Sequence, residues 1–151
     1  MMKRKQFVYA FRLLDLRTNL YVALGTSLRS ERAAFEIAME WLDRQSVRLE
    51  SVRLNRFYSN ASDVDRFEGA KVYVVPKKSA SMKGSMKWEL TMKEFLEETV
   101  GYLEEFYQRD RSEPGFSGGK RMLGWGIAQR REDRIHTAHI CQGTWHNLLN
   151  L

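Results

Sequence analysis

In the stretch "FYQRDRSEPGFSGGK", residues 106–120, an aromatic ring, an arginine, a glutamate and a lysine are spread along a segment that begins apolar and ends in glycine. Phe106, Arg109, Glu113 and Lys120 are separated by two, three and six residues, and at helical spacing their four directions fall within about 60° of one another. One helical face could carry all four. Pro114 disfavours helical geometry at Glu113, and Gly118 and Gly119 weaken the next turn, so a kink or a helix break is expected here. Taken alone, the stretch also reads as an exposed loop with ordinary salt bridges. The glycine pair before Lys120 is a turn rather than a phosphate loop, because no strand precedes it and no GxxxxGK[ST] motif is present.

Upstream, "QFVYAFRLLDLRTNLYVALGTS" gives two β-rich runs joined by Asp15, Thr18 and Asn19, predicting a hairpin over roughly residues 6–14 and 20–26. Ser30 can cap a helix running to residue 44, since Ala34, Ile37, Ala38, Trp41 and Leu42 repeat at three and four residues. Val52 and Leu54 alternate with arginine as in a half-buried strand, and "AKVYVVP" (70–76) is a continuous apolar run stopped by Pro76. Only a short helix fits between them, so a parallel pair with a right-handed crossover is expected, within a mixed sheet. Residues 79–87 read as a mobile basic loop. From Trp88 a long helix is predicted, with Leu90, Phe95, Leu96, Val100, Leu103 and Phe106 on its buried side, and the tail as another helix, interrupted or ended near Gly143.

The length of 151 residues suits one domain with a core of its own. Twenty-five Lys and Arg against nineteen Asp and Glu leave a net charge of +6, which fits a polyanionic partner or, equally, well-solvated exposed faces. Gln6 and Arg12 interrupt the basic then apolar start, and no small-residue cleavage site follows, so no signal peptide is expected. No run approaches the ~18 apolar residues of a membrane span, and the single Cys141 cannot form an internal disulfide. A cytoplasmic, nucleoid-associated protein is the expectation. His136, His139, Cys141 and His146 raise the question of zinc. On one helix, however, His139 and His146 share a face about 10 Å apart while Cys141 points away, so they could not close on one ion.

The spacing of Phe106, Arg109, Glu113 and Lys120 resembles the Tyr-x2-Arg-x3-Glu-x6-Lys signature of one branch of the DDE transposases of bacterial and archaeal insertion sequences. The first position departs from it, with Tyr107 standing beside. "SVRLNRFYS", "AKVYVVPKK" and "GWGIAQRREDRI" resemble further segments of that family in the same order, so the resemblance covers most of the chain. It implies an α/β, RNase H-like mixed sheet flanked by helices. It implies metal-dependent DNA cleavage and strand transfer, with magnesium as cofactor, element ends and target DNA as partners, and a homo-oligomeric assembly.

Glu113 then stands at the third metal-binding acid. Asn55 stands where the family pattern Arg-Leu-Asp-x-x-Tyr-Ser has its second aspartate, and an amide carries no charge to hold a divalent cation. The first acid lies on a strand ahead of the hairpin, whereas this chain opens at the hairpin, so the resemblance implies the C-terminal part of the catalytic domain without its first strand. Asp15 is the only early carboxylate, and its neighbours make it a turn residue. The expected role is that of a truncated transposase whose own activity the missing acids put in question. Arg109, Lys120, Lys77, Lys78 and Lys83 are the bases expected near DNA phosphate. The alternative is a noncatalytic nucleic-acid-binding or interaction module using the basic segments 77–87 and 120–134.

Overall fold

The structure, a computed structural model, describes residues 7–114, 116–117 and 127–151. The chain divides into two compact units, one of residues 1–47 with 111–151 and the other of residues 48–110. Each contains one two-stranded sheet, antiparallel in the first and parallel in the second, with helices against it. The fold is mixed α/β, as expected, but among the described residues its strands pair as two small sheets rather than as one mixed sheet.

In the first unit, β1 (Tyr9–Leu14) and β2 (Tyr21–Ser27) pair antiparallel from Tyr9 opposite Ser27 to Leu14 opposite Tyr21. The connection is built on Asp15. Its carbonyl accepts from the Asn19 amide at 2.8 Å, and its carboxylate accepts from the Arg17 amide at 3.0 Å and the Thr18 hydroxyl at 2.8 Å. Asn19 takes the left-handed conformation (φ 59°) that this residue type tolerates.

Helix α1 (Glu31–Gln45) starts where the Ser30 hydroxyl accepts from the Ala33 amide at 3.1 Å. It buries Ala34, Phe35, Ala38, Met39 and Leu42, so Phe35 and Met39 join the apolar face read from the sequence. Gly25 of β2 allows α1 to come so close that a Cβ there would sit 2.0 Å from the Ala34 carbonyl oxygen.

Helix α5 (Glu132–Leu149) runs through Gly143 without interruption, which corrects the expected break. The glycine is there for approach rather than termination: a Cβ on it would lie 2.2 Å from Leu24 Cδ1. Helix α5 also makes polar contacts with the hairpin. The Asn147 amide accepts from Tyr21 N–H at 2.7 Å and donates to Tyr21 C=O at 2.9 Å. His146 Nε2 pairs with the Asn19 carbonyl at 2.9 Å, and His136 Nδ1 with the Thr26 hydroxyl at 3.1 Å.

In the second unit, β3 (Ser51–Leu54) and β4 (Lys71–Val74) are parallel, with Ser51 opposite Lys71 and Leu54 opposite Val74. A single turn of 3-10 helix (Arg56–Tyr58) and the short α2 (Ala61–Asp65) make the crossover between them. The long helix expected from Trp88 is two helices, α3 (Met86–Glu97) and α4 (Thr99–Tyr107), broken at Glu98 (φ −128°, ψ 52°).

The break resets the helical phase. Trp88, Thr91 and Met92 are buried on α3, and Tyr102 and Phe106 on α4. Leu90, Leu96 and Val100, expected inside, are 60%, 61% and 74% exposed. Tyr73, Tyr102 and Phe106 form one buried cluster, with Phe95 and Leu103 partly buried against it. The Tyr102 hydroxyl accepts from Val74 N–H at 2.8 Å and donates to Val74 C=O at 3.1 Å. The segment expected to be a mobile loop is anchored: Ser81 C=O accepts from the Trp88 indole at 2.9 Å, Ser85 donates to Asp65 at 2.6 Å, and α3 has begun by residue 86.

Candidate functional site

Asn55 follows Leu54, the last residue of β3, and caps the 3-10 turn by accepting from Phe57 N–H at 3.3 Å. Because β3 and β4 are parallel, the segments that leave both strands emerge at the same end, where open α/β sheets bind ligands. These segments are stitched together. Arg56 Nε donates to Pro76 C=O at 3.1 Å, Lys77 N–H donates to the Ser59 hydroxyl at 3.1 Å, and Lys77 Nζ donates to Phe57 C=O at 3.3 Å. Asn55, Arg56, Phe57, Lys77 and Lys78 are all exposed there. Lys83 is also exposed, and its amide donates to Ser81 Oγ at 3.1 Å.

The helical face projected from Phe106 to Lys120 does not persist as one α-helix. Helix α4 ends at Tyr107, and Gln108–Arg111 form a 3-10 turn, in which each residue advances by about 120° rather than 100°. The guanidinium of Arg109 lies 5.4 Å from the centroid of the Phe106 ring. Glu113 is exposed and helical, with residues 112–114 in helical conformation, so the break comes before the glutamate rather than at it. Pro114 is compatible with this because proline is tolerated in the first turn of a helix. Lys120, Gly118 and Gly119 lie outside the described residues. Asn55 and Arg109 belong to the second unit and Glu113 to the first.

The donors fit a divalent metal pair poorly. Among the described residues no three His, Cys, Asp or Glu side chains group so as to hold an ion. The Asn55 amide is neutral, and its oxygen is engaged as a cap. Asp15 is spent on its turn: burial raises its pKa, but the Arg17 amide and the Thr18 hydroxyl outweigh that and hold it below the usual carboxylate range. The histidines are elsewhere too, His136 and His146 bonded to the hairpin and His139 buried beside Arg12, with Nδ1 3.4 Å from the guanidinium.

Phe57 and Arg56 escaped the reading of the sequence. The signal was in "NRFYS", where a base and two aromatics directly follow a strand and one aromatic, Tyr58, is buried while its neighbour is not.

Among the described residues no helix is long and apolar enough to cross a membrane. No family model matches the chain, and no solved structure matches it. Over 147 residues, 97% of this chain, it is 39% identical to a protein of Archaeoglobus fulgidus described as a probable transposase for insertion sequence element ISA1214. The chain spans 45% of that relative's length. The resemblance to insertion-sequence transposases, first carried by four spaced residues, thus extends over nearly the whole chain.

Proposed function

We propose that this chain serves the transposition of an insertion sequence, as part of a transposase of the DDE type with an RNase H-like catalytic architecture. The observation that carries the reading is the 39% identity over 97% of the chain to a probable insertion-sequence transposase. DNA is the partner, and the charge of +6 is compatible with it. Asn55 and Glu113 stand at the second and third acid positions, and Arg109, Lys120, Lys77, Lys78 and Lys83 contact phosphate. Cleaving a phosphodiester and joining its 3′ oxygen to a target needs carboxylates around the reacting phosphate. With a neutral amide at position 55, Glu113 does not by itself hold the magnesium pair that this chemistry uses, so the chain alone is read as inactive in strand transfer.

The reading is tested by titrating duplex DNA with the chain over a range of salt. The logarithm of affinity should fall linearly with the logarithm of salt, and Lys77→Ala, Lys78→Ala and Lys83→Ala should each lower the slope by about 0.9. Affinity that barely changes with salt overturns it. Supplied with magnesium and DNA carrying insertion-sequence ends, the chain should give no strand transfer, and Asn55→Asp alone should not restore it. Robust cleavage by the unmodified chain would remove Asn55 from the acid position. A noncatalytic nucleic-acid-binding module is the second reading, favoured by the neutral, hydrogen-bonded Asn55 amide.

A further inference from the structure

Phe57 and Tyr58 are adjacent aromatics with opposite fates: Tyr58 is buried at 2% exposure, while Phe57 keeps 42% of its surface open. The open ring is nonetheless firmly placed. Asn55 accepts from its amide, Lys77 Nζ donates to its carbonyl, and the Tyr58 ring meets it edge-on at 5.0 Å. Lys77 Nζ also stands 5.6 Å from the ring centroid, and Arg56 is tied across to Pro76. One cation, Lys77, thus lies over the exposed ring, and Arg56 and Lys78 are exposed on the same two cross-linked segments.

Resting on the proposed function, we infer that Phe57 is a stacking platform for a single unpaired nucleobase, with Arg56, Lys77 and Lys78 engaging the phosphates that flank it. An intact duplex offers phosphates and groove edges but buries the faces of its bases in the stack. A strand with an unpaired base exposes a π-face, and aromatic stacking beside a basic track is how such strands are held. The platform directly follows Asn55, so the unpaired base would lie next to the strand end at which the second acid position stands. Phe57 is therefore a positioning residue for DNA and not a reacting group.

The experiment compares binding of a short single-stranded oligodeoxynucleotide with that of a duplex of the same length, by fluorescence anisotropy with the 151-residue chain. Phe57→Ala should weaken the single strand about ten-fold and the duplex by less than about two-fold. Phe57→Leu, which keeps the apolar bulk but lacks the aromatic face, should match the alanine variant, and Phe57→Trp should restore binding. Lys77→Ala should weaken both forms of DNA. Equal effects of Phe57→Ala on the two forms, or full single-strand binding by Phe57→Leu, would overturn the stacking role while leaving DNA binding intact. Failure of the unmodified chain to bind any DNA would overturn the proposed function and the stacking role with it. Unchanged thermal melting of the variants separates loss of the platform from loss of the fold.

Discussion

Helix α5 of the first unit and helix α4 of the second are held by different chemistry. In the first, α5 meets the hairpin through histidines, an asparagine and a glycine, while Cys141, Trp145 and Leu148 are exposed. In the second, α4 meets its strands through Tyr73, Tyr102 and Phe106, assisted by Arg53, whose guanidinium reaches the Glu105 carboxylate at 2.7 Å and carbonyl at 2.8 Å. The contrast teaches that a helix can be fixed either by buried aromatic area or largely by hydrogen bonds from its side chains to a neighbouring hairpin. The polar solution depends on the protonation state of its members; the aromatic one does not.

The largest expected effect comes from closing the gap between α1 and β2. Gly25→Ala would place a methyl 2.0 Å from the Ala34 carbonyl oxygen and 2.7 Å from the Ala38 amide nitrogen, both backbone atoms. The helix must then move off the strand, and urea unfolding should show a loss of about 3 kcal/mol in the first unit. Near-normal stability would mean that α1 shifts easily.

Acid should come next, and should separate the units. His139 is only 1% exposed, and burial, helped by the charge of Arg12 and by His136, pushes its pKa down to about 4 from 6.5. As pH falls below 6.5 the unfolded chain takes up this proton first, so stability is lost down to about pH 4 and no further. Between pH 6.5 and 5 the loss should be about 1.5 kcal/mol, read as faster hydrogen exchange along α5. His139→Leu should flatten that dependence. Helix α4 should keep its protection over the same range, because burial and the nearby carboxylate of Glu94 hold Tyr102 up at about 12 despite its hydrogen bond with Val74. Equal acid sensitivity of the two helices would break the comparison.

Within the aromatic unit, Tyr102→Phe should cost about 1.5 kcal/mol, since it strips the hydroxyl from both the N–H and the C=O of buried Val74 and leaves the packing in place. The cost should be the same at pH 5 and pH 8. The smallest effect is expected at Leu90, which is 60% exposed: Leu90→Gln should change the midpoint of thermal unfolding by less than the equivalent of about 0.5 kcal/mol. A larger loss would restore it to the core.

Leu90 also marks where the sequence stopped being legible. The hairpin, α1 and the parallel pair could be read because Asp15, Ser30 and the alternation of Val52 and Leu54 are local signals with local causes. The break at Glu98 carries neither glycine nor proline, so one helical phase was extended across two helices and the wrong leucines were placed inside. Gly143 was read as a terminator, whereas its cause is Leu24, more than a hundred residues away in sequence. At the candidate site, the place of Asn55 at the end of a strand was readable from the alternation of Val52 and Leu54 before it. The projected helical face was not, because it assumed 100° per residue through a segment that winds as a 3-10 turn. Phe57 needed the burial of Tyr58 to be noticed at all.

The Asn147 amide occupies both the N–H and the C=O of Tyr21, which is what a neighbouring strand would otherwise do. A side chain has thereby been set as a stopper at the start of β2, and a strand from another molecule finds no free donor or acceptor there from which to begin pairing. Replacing that amide would do more than loosen a helix: it would open a template for self-association at the edge of a sheet that, among the described residues, has two strands.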